Sequence, residues 1–184
     1  MPKRYLSNIF AGIVCILILA SCNTSRRATV PSRDEGYIEE IEFSRLPKER
    51  KLLVREAEEW LGTPYVYARQ DKGKGTDCSG LVMQVYLTAL DCELPRNSAR
   101  QAEFCRRIKA EEAVAGDLVF FATGKDKSKV SHVGILVDEE SFIHASSSKG
   151  VVRSKMSNPW YAKRFLMYGR VPGLDKKGKN HHRR

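Results

Sequence analysis

Cys78 is the residue whose position most favours covalent chemistry. It lies in Asp77-Cys78-Ser79-Gly80, where a loop rich in glycine and lysine gives way to an apolar segment typical of a helix. A cysteine at a helix N-terminus meets unpaired N–H groups and the positive end of the helix dipole, which both favour the nucleophilic thiolate. The same N–H groups could hold an oxyanion, and Asp77 is of the type that caps helices. The alternative is that Cys78 is a small buried residue.

Two histidines, His132 and His144, could supply the base that such a thiol needs. A nucleophilic cysteine is paired with a histidine, which a third polar group orients. Both histidines lie in strand-like segments, so their cooperation depends on the turn between the strands. A two-residue loop, 139–140, would put them on opposite faces of the sheet, whereas a three-residue loop, 138–140, would make them diagonal neighbours on one face. The pattern permits both loops, and it also permits a structural role for both histidines.

The elements that must position these residues run from helices to strands. Apolar residues recur at helical spacing over 53–61, and two further helices are predicted over 79–90 and 97–106. After Gly116 the pattern is typical of strands, over residues 117–121, 131–137, 141–145, 150–153 and 165–171. This order predicts an α+β fold in which N-terminal helices pack on an antiparallel β-sheet. Cys78 would then lie on a helix and both histidines on the sheet.

The first 22 residues have the pattern of an export signal. Lys3 and Arg4 precede the apolar run 9–20, which is shorter than the roughly 20 residues needed to cross a bilayer. The run ends in Leu19-Ala20-Ser21-Cys22, which resembles the bacterial lipobox, where the chain is cut before a lipidated cysteine. We predict a lipoprotein signal peptide over 1–21 and a membrane anchor through lipid on Cys22. The alternatives are a permanent membrane helix and ordinary secretory cleavage near Ala20.

The rest of the chain has the composition of one globular domain. Of its 184 residues, 42% are apolar and 29% are charged, which is enough for a single packed core. Residues 22–45 are polar and predict a lipidated N-terminus followed by a flexible linker, and the basic residues 173–184 predict a disordered tail. Part of the formal net charge of +10 belongs to that tail. Nucleic acid is not an expected partner of an exported chain, whereas anionic envelope components are.

Six short motifs follow one another through the predicted domain. They are Pro64-Tyr65, Asp77-Cys78-Ser79-Gly80, Leu94-Pro95-Arg96-Asn97-Ser98, Gly116-Asp117-Leu118-Val119-Phe120-Phe121, Ser131-His132-Val133-Gly134-Ile135 and Phe142-Ile143-His144-Ala145-Ser146. In this order and at these spacings they resemble the NlpC family of papain-like cell-wall cysteine peptidases. The resemblance covers residues 47–171, and it implies a papain-like peptidase domain over 46–172.

The resemblance also implies a reaction. Cys78 corresponds to the nucleophile, His132 to the base, and His144 to the polar residue that orients the base. The substrate would be peptidoglycan or its released muropeptide fragments, cut at the γ-D-glutamyl–diamino acid amide bond of the stem peptide. The protein would be exported and lipid-anchored to a bacterial membrane, with the peptidase domain facing the periplasm. The family implies no cofactor and no metal ion.

Three further residues take substrate-binding roles from the resemblance. Tyr65 corresponds to a tyrosine that helps to bind substrate or to stabilise the oxyanion. Asp77 and Ser79 correspond to positions that in some members meet the free amino terminus of the substrate. One departure stands out: the family often has two glycines shortly after the tyrosine, and this chain has Ala68-Arg69. The loop between Tyr65 and Cys78 could therefore have a different shape.

Other interpretations remain beside this one. An amidase or acyltransferase could use the same Cys–His site on another envelope substrate, because a fold does not fix a substrate. A metal site of Cys78, His132 and His144 has acceptable ligand types but lacks the local ligand pair of most zinc motifs. A non-catalytic wall-binding module would be indifferent to Cys78. Cys92 and Cys105 are predicted to be free thiols, since a helical segment between them would hold their Cα atoms beyond the ~7 Å limit of a disulfide.

Overall fold

A computed structural model of the protein describes residue 40 and residues 43–175. The first part consists of α1 (Lys48–Glu58), β1 (Gln70–Asp71), β2 (Gly75–Thr76), α2 (Cys78–Leu90) and α3 (Ser98–Phe104). The second part consists of β3 (Arg106–Ile108), a 3₁₀ turn (Ala110–Glu112), β4 (Leu118–Phe121), β5 (His132–Leu136), β6 (Ser141–Ser146), β7 (Gly150–Lys155), α4 (Pro159–Ala162) and β8 (Phe165–Arg170). The predicted α+β class is confirmed: α1, α2 and α3 come before all the strands from β3 to β8.

Six of the strands form one antiparallel sheet in the order β3-β8-β4-β5-β6-β7. Successive hairpins join β4 to β7, and β8 returns to lie beside β4. The strands that carry the two histidines, β5 and β6, are therefore neighbours inside the sheet and away from both of its edges. Helix α2 packs directly on this pair of strands. The first residue of α2, Cys78, is thus brought to the same region of the molecule as the histidines.

The helices and the sheet share a core of apolar side chains. Helix α2 is apolar over most of its surface and buries Leu81, Val82, Val85 and Tyr86, whereas α1 presents a narrower apolar face. Each such side chain stabilises the fold by about 1.5–3 kcal/mol when it is fully buried. The Tyr86 hydroxyl donates to the carbonyl of Gly116, so the one polar atom of this buried ring is satisfied. These contacts hold α2, and hence its N-terminus, rigidly against the sheet.

The start of α2 is fixed by its cap, as the sequence predicts. The Asp77 carboxylate accepts a hydrogen bond from the backbone N–H of Gly80 at 2.8 Å. This bond satisfies one of the unpaired N–H groups of the first turn. The helix ends at Asp91, which adopts the left-handed conformation with φ 53°. Cys78 therefore occupies a defined first position rather than a fraying end.

The turn between β5 and β6 has three residues. Leu136 pairs with Phe142, and the Val137 N–H donates to the Ser141 carbonyl at 3.0 Å, which leaves residues 138–140 as the loop. Asp138 stabilises this turn, because its carboxylate accepts from the backbone N–H of Glu140 at 2.7 Å and of Ser141 at 2.6 Å. Of the two loops that the sequence permits, the structure has the one that puts both histidines on a single face.

Residues on both sides of the predicted domain, 46–172, contact its core. Residues 43–45, assigned to the flexible linker, are helical, and Phe43 packs against the core beneath the guanidinium of Arg55. In the predicted tail, Leu174 packs against the core and the Asp175 carboxylate binds Arg106 and Arg170. These contacts join residues that their polar composition assigned to linker and tail to the folded domain.

Several predictions fall on other parts of the chain. The signal peptide 1–21, Cys22, residues 23–39 and residues 176–184 lie outside the described residues. Within residue 40 and residues 43–175, no helix is long and apolar enough to cross a membrane. The structure adds elements that the sequence patterns did not predict, namely the β1–β2 ribbon, strand β3 and helix α4.

Candidate active site

Cys78 lies at one wall of a groove of about 680 Å³. His132 also lines it, so the helix N-terminus and the sheet both contribute to this groove. Tyr65 also lines it, held by the segment between α1 and β1. The thiol lies close to the backbone N–H groups of Ser79 and Val133, which lower its pKa. Three of the predicted site residues are thus brought together around one cavity.

Burial nevertheless dominates the protonation of the thiol. Burial first and the neighbouring Asp77 carboxylate second raise the pKa of Cys78 to about 11, because together they outweigh the nearby N–H groups. The sequence-based expectation of a lowered thiol pKa is therefore wrong. Burial also lowers the pKa of His132 to about 4. At neutral pH the pair consists of a thiol and a neutral imidazole, and the imidazole can take up the proton of the thiol.

His132 is oriented by a direct contact with His144. The Nε2 atom of His132 lies 2.9 Å from Nδ1 of His144, and the two rings meet edge to face at 84°. His132 is 9% exposed and His144 is completely buried, so water does not compete for this bond. The contact occupies Nε2 of His132 and leaves Nδ1 as its other ring nitrogen. The roles of His132 as base and of His144 as its orienting residue stay predictions, and this contact is compatible with them.

The far side of His144 is bonded as well. Its Nε2 lies 3.0 Å from the hydroxyl oxygen of Ser154 and 3.0 Å from that of Tyr161. Ser154 comes from β7 and Tyr161 from α4. The ring of Tyr161 packs against Phe121 and Phe142. Burial and the neighbouring His132 lower the pKa of His144 to about 3. The two hydroxyls had no signal in the sequence. Asn158-Pro159, however, is a typical helix start and indicates the position of α4.

Asp77 and Ser79 flank the nucleophile but belong to a second network. Arg96 donates to both carboxylate oxygens of Asp77, at 3.0 and 2.8 Å, and to the Ser79 hydroxyl at 3.0 Å. Burial raises the pKa of Asp77, but hydrogen bonds from Arg96 and Gly80 outweigh it and the pKa is lowered overall. Both side chains are buried among these partners, and neither lines the groove. Their contact with a substrate amine stays a prediction.

The loop after Tyr65 keeps a glycine-like shape without glycine. Ala68 has φ 61°, in the left-handed region, and its backbone N–H donates to Asp77 at 2.9 Å. A residue with a Cβ atom is disfavoured there by about 1–2 kcal/mol. The substitution of the family's glycine by Ala68 therefore adds local strain to a loop that supports the cap of α2. Burial raises the pKa of the Tyr65 hydroxyl, and Cys78 and Asp77 add to that effect, so Tyr65 is a neutral donor.

The remainder of the groove is rich in hydroxyl groups and carries positive charge. It is lined by Thr123, Ser131, Ser146, Ser147, Ser148, Ser154 and Asn158, with Lys149 and Arg153 as the cations. Trp160 forms its outer rim, 46% exposed and stacked under the Arg164 guanidinium. Among the described residues that line the groove, none is an aspartate or a glutamate. Such a surface suits a polar, carboxylate-bearing ligand.

The same geometry bears on the metal-site interpretation. The Nε2 of His132 and the Nδ1 of His144 face each other at hydrogen-bonding distance, instead of converging on a third point. Across residue 40 and residues 43–175, no group of three or more His, Cys, Asp or Glu side chains could hold a metal ion. Cys92 and Cys105, like Cys78, are free thiols. The chemistry of the groove is thus that of a thiol and an imidazole.

Curated relatives share most of this domain. A probable endopeptidase of Haemophilus influenzae is 39% identical over 120 residues, which cover 65% of this chain and 73% of the relative. The murein DD-endopeptidase MepS/murein LD-carboxypeptidase of Escherichia coli is 30% identical over 180 residues. The match covers 91% of this chain and 94% of the relative. A gamma-DL-glutamyl hydrolase of Bacillus subtilis is 35% identical over 66% of this chain, but only 29% of that relative is covered.

A solved structure gives the same architecture. An NlpC/P60 family protein from Bacillus cereus superposes with a TM-score of 0.61 at 28% identity, over 66% of this chain and 40% of its own. This chain therefore spans less than half of that larger protein. Residues 62–170, which contain Tyr65, Cys78, His132 and His144, match the sequence profile of the NlpC/P60 family. That match covers more than half of the chain, and the chain belongs to the NlpC/P60 family.

Proposed function

We propose that the protein is a cysteine peptidase that hydrolyses the stem peptides of peptidoglycan, at the γ-D-glutamyl–diamino acid amide bond. The observation that carries the proposal is the groove in which Cys78, at the start of α2, faces the strand of His132, whose ring is held by His144 at 2.9 Å. The names of the relatives add support, since they include endopeptidases and a gamma-DL-glutamyl hydrolase.

The reaction follows from the protonation of the site. The thiol of Cys78 gives its proton to Nδ1 of His132 as the sulfur attacks the carbonyl carbon of the amide. Backbone N–H groups at the start of α2 and the Tyr65 hydroxyl are available to stabilise the oxyanion. The imidazolium of His132 then protonates the leaving amine as the carbon–nitrogen bond breaks and a thioester forms. Water hydrolyses the thioester, with His132 again as base, and releases the new carboxylic acid and the thiol.

The substrate proposal agrees with the charge of the groove. Stem peptides carry free carboxylates, and the groove offers Lys149 and several hydroxyl groups, with no aspartate or glutamate among its described lining residues. The guanidinium of Arg153, which also lines the groove, is already paired with Asp138. Carboxylates bind well to cations and hydroxyl donors of this kind. The relatives differ in the bond for which they are named, because the Escherichia coli relative is a DD-endopeptidase and LD-carboxypeptidase by name. The bond is therefore the part of the proposal that product analysis must decide.

We further propose that the mature protein is exported and held on a bacterial membrane by lipid on Cys22. The support is the sequence Leu19-Ala20-Ser21-Cys22 after a short apolar run. Two or more acyl chains hold a protein firmly, whereas a single chain gives marginal binding. Residues 23–42 would then separate the lipid from the folded domain, so that the groove can approach the wall.

The function is tested by incubating purified peptidoglycan sacculi with the mature protein and identifying the products by mass spectrometry. We expect stem peptides cut after γ-D-glutamate by the wild type. Cys78→Ala should release nothing, because the nucleophile is absent. Cys92→Ala is the matched control, since this thiol lies outside the groove, and it should retain wild-type activity.

Other outcomes would contradict the proposal. Products released equally by Cys78→Ala would show that another group performs the reaction. Products in which the new acyl end is joined to an amine instead of bearing a carboxylate would identify an acyltransferase. Cleavage at a different amide would retain the cysteine peptidase and reject the γ-D-glutamyl bond.

A further inference from the structure

The hydroxyl groups of Ser154 and Tyr161 end a series of hydrogen bonds that begins at His132 and passes through His144. Nε2 of His132 meets Nδ1 of His144 at 2.9 Å, and Nε2 of His144 meets the oxygens of Ser154 and Tyr161 at 3.0 Å each. A neutral imidazole has one nitrogen that donates and one that accepts. The hydrogen on each ring is therefore determined by the hydrogen on the other.

One arrangement of these hydrogens is active. His132 can receive the proton of Cys78 on Nδ1 only if its own hydrogen is on Nε2. That hydrogen must then be donated to Nδ1 of His144, so the hydrogen of His144 is on its Nε2. Because His144 is completely buried, this last N–H needs an acceptor within the protein, or it would be left unsatisfied at a cost.

The opposite arrangement is inactive. If a hydroxyl donated its hydrogen to Nε2 of His144, the ring would carry its own hydrogen on Nδ1 and donate it to His132. His132 would then be protonated on Nδ1 and could not accept the proton of the thiol. The direction of the hydrogen bond between Nε2 of His144 and the hydroxyls thus decides whether Nδ1 of His132 can act as a base.

From this geometry we propose that Ser154 and Tyr161 are positioning residues that hold His144 with its hydrogen on Nε2. The inference rests on the proposed function, in which His132 is the base. Both hydroxyl oxygens lie 3.0 Å from the same nitrogen, Nε2 of His144. Without a hydrogen, Nε2 has a single lone pair and can accept from only one hydroxyl, whereas an N–H at Nε2 can be shared between the two oxygens. Two hydroxyls at this nitrogen therefore favour the hydrogen on Nε2, which a single hydroxyl does not require.

The packing around Tyr161 holds this acceptor in place. Its ring lies 5.3 Å from Phe121, 5.0 Å from Phe142 and 5.0 Å from His144, measured between centroids. It is also nearly parallel to the ring of His132, with an interplanar angle of 22°. Helix α4 starts at Asn158, which caps it through a bond to the N–H of Trp160 at 2.9 Å. The short helix thus delivers one hydroxyl to a fixed point behind the histidine pair.

The test measures the tautomers directly, by ¹⁵N NMR of histidine-labelled protein, together with steady-state kinetics on muropeptides. The chain has four histidines, so the spectrum is simple. In the wild type we expect the hydrogen of His144 on Nε2 and that of His132 on Nε2. Ser154→Ala and Tyr161→Phe each leave one hydroxyl that can donate, and we expect mixed tautomers with kcat reduced about tenfold and KM nearly unchanged.

Control variants separate positioning from folding. The double variant Ser154→Ala/Tyr161→Phe should lose clearly less than tenfold beyond either single variant, because both residues act on the same hydrogen, whereas two independent effects would multiply to about a hundredfold loss relative to the wild type. Ser154→Thr keeps the hydroxyl and should retain the wild-type tautomers. Tyr168→Phe removes a hydroxyl of the same type outside the groove and should leave kcat unchanged.

The outcomes distinguish this inference from the proposed function. A wild-type spectrum with the hydrogen of His144 on Nδ1 would overturn the inference even if sacculi are hydrolysed. Wild-type tautomers in both single variants and in the double variant would also overturn it. If hydrolysis fails while the tautomers respond to Ser154 and Tyr161 as stated, the positioning role stands and the proposed reaction does not.

Discussion

Cys78 and His132 lie in surroundings that disfavour charge on either side chain. Burial raises the pKa of the thiol to about 11 and lowers the pKa of the imidazole to about 4. At neutral pH the two side chains are therefore a thiol and a neutral imidazole rather than a thiolate–imidazolium pair. The proton passes from sulfur to nitrogen only when the reacting carbonyl is in place, so the nucleophile is generated together with the bond that it forms.

This protonation predicts an unusual pH dependence. The base must be neutral, and a histidine with its ordinary pKa of about 6.5 would lose activity as the pH falls through that value. Because the pKa of His132 is about 4, kcat/KM should stay nearly constant down to about pH 5 and fall only below it. The measurement is kcat/KM on a soluble muropeptide between pH 4 and 8. An acid limb centred near 6.5 would indicate an imidazole exposed to solvent.

Arg96 offers a second prediction at this scale. Its guanidinium is the charge that balances Asp77, and Asp77 raises the pKa of the adjacent thiol. Arg96→Met should raise the pKa of Cys78 further, and we expect alkylation by iodoacetamide at pH 8 to slow about tenfold, equivalent to one pKa unit. The rate is measured by mass spectrometry of the alkylated peptide.

Two matched variants test the cause of that effect. Arg100→Met removes an exposed arginine of α3 and should leave the rate of alkylation unchanged. Asp77→Asn keeps an oxygen for the helix cap but removes the charge, so Asp77→Asn/Arg96→Met should recover most of the rate. A double variant as slow as Arg96→Met alone would attribute the loss to altered packing instead of charge.

Single residues were predicted from the sequence to an uneven degree. Cys78, His132 and His144 could be predicted, because Cys78 stands at a helix start, both histidines stand in strand-like segments, and all three fall in motifs that resemble the family. The hydroxyls of Ser154 and Tyr161 could not be predicted, since serine and tyrosine are common and only the fold brings β7 and α4 behind His144. The pKa of Cys78 was predicted in the wrong direction, because burial depends on the packing of the whole groove.

At the scale of elements, the β5–β6 turn determines the site. Its three residues put His132 and His144 on one face, and Asp138 binds the backbone N–H groups of Glu140 and Ser141. Asp138 also pairs with Arg153 of β7. A change of one residue in this register would move His144 to the opposite face of the sheet.

Replacing the residue that stabilises this turn should therefore reduce activity as well as stability. For Asp138→Ala we expect the free energy of unfolding to fall by about 1–3 kcal/mol, because two backbone N–H groups lose their acceptor. We also expect kcat to fall, since the histidine pair is held less firmly. Denaturant unfolding and kcat on muropeptides measure the two effects.

Glu139→Ala is the control for the turn. Glu139 is exposed at the centre of the same loop, and its replacement should change the free energy of unfolding by less than about 0.5 kcal/mol. An Asp138→Ala variant with lowered stability but wild-type kcat would show that the histidine pair is held by the sheet alone.

The main elements followed from the sequence, whereas their connections did not. Apolar residues at helical spacing predicted α1 and α2, and the strand-like segments predicted the run from β4 to β8. The register of β5 and β6 remained open, because alternation fixes which residues share a face of one strand and not the length of the loop. The β1–β2 ribbon and β3 have only two and three residues in each strand, too few for a pattern.

At the scale of the whole molecule, one buried carboxylate joins distant parts of the chain. Asp117 at the start of β4 is fully buried and bonds Arg50 of α1 at 3.2 Å and Arg170 of β8 at 2.7 Å. Arg170 in turn binds Asp175, a residue of the predicted tail, and so joins it to the folded domain. The sequence could not show this, because the residues are far apart in the chain and each is of a type usually found on the surface.

The proposed anchor gives a prediction at the same scale. Cys22→Ala removes the sulfur that would carry the lipid, so the protein should no longer gain the mass of an acylated N-terminus and should leave the membrane fraction. Fractionation and intact-mass measurement follow the change. Cys15→Ala is the control in the same leader and should remain lipidated. If Cys22→Ala stays in the membrane with unchanged mass, the apolar run itself is the anchor.

The sheet ends in two edge strands, β3 and β7. Edge strands can pair with a neighbouring molecule and start aggregation, and natural proteins oppose this with short strands, charged side chains and covering segments. Here β3 has three residues and exposes Arg106 and Arg107. The outer side of β7 is partly occupied, because Val151 exchanges backbone hydrogen bonds with Gly62 and Thr63. The short strand and the covered strand leave few backbone groups for a neighbouring molecule to bind, so copies of the domain can be crowded on a surface without joining edge to edge.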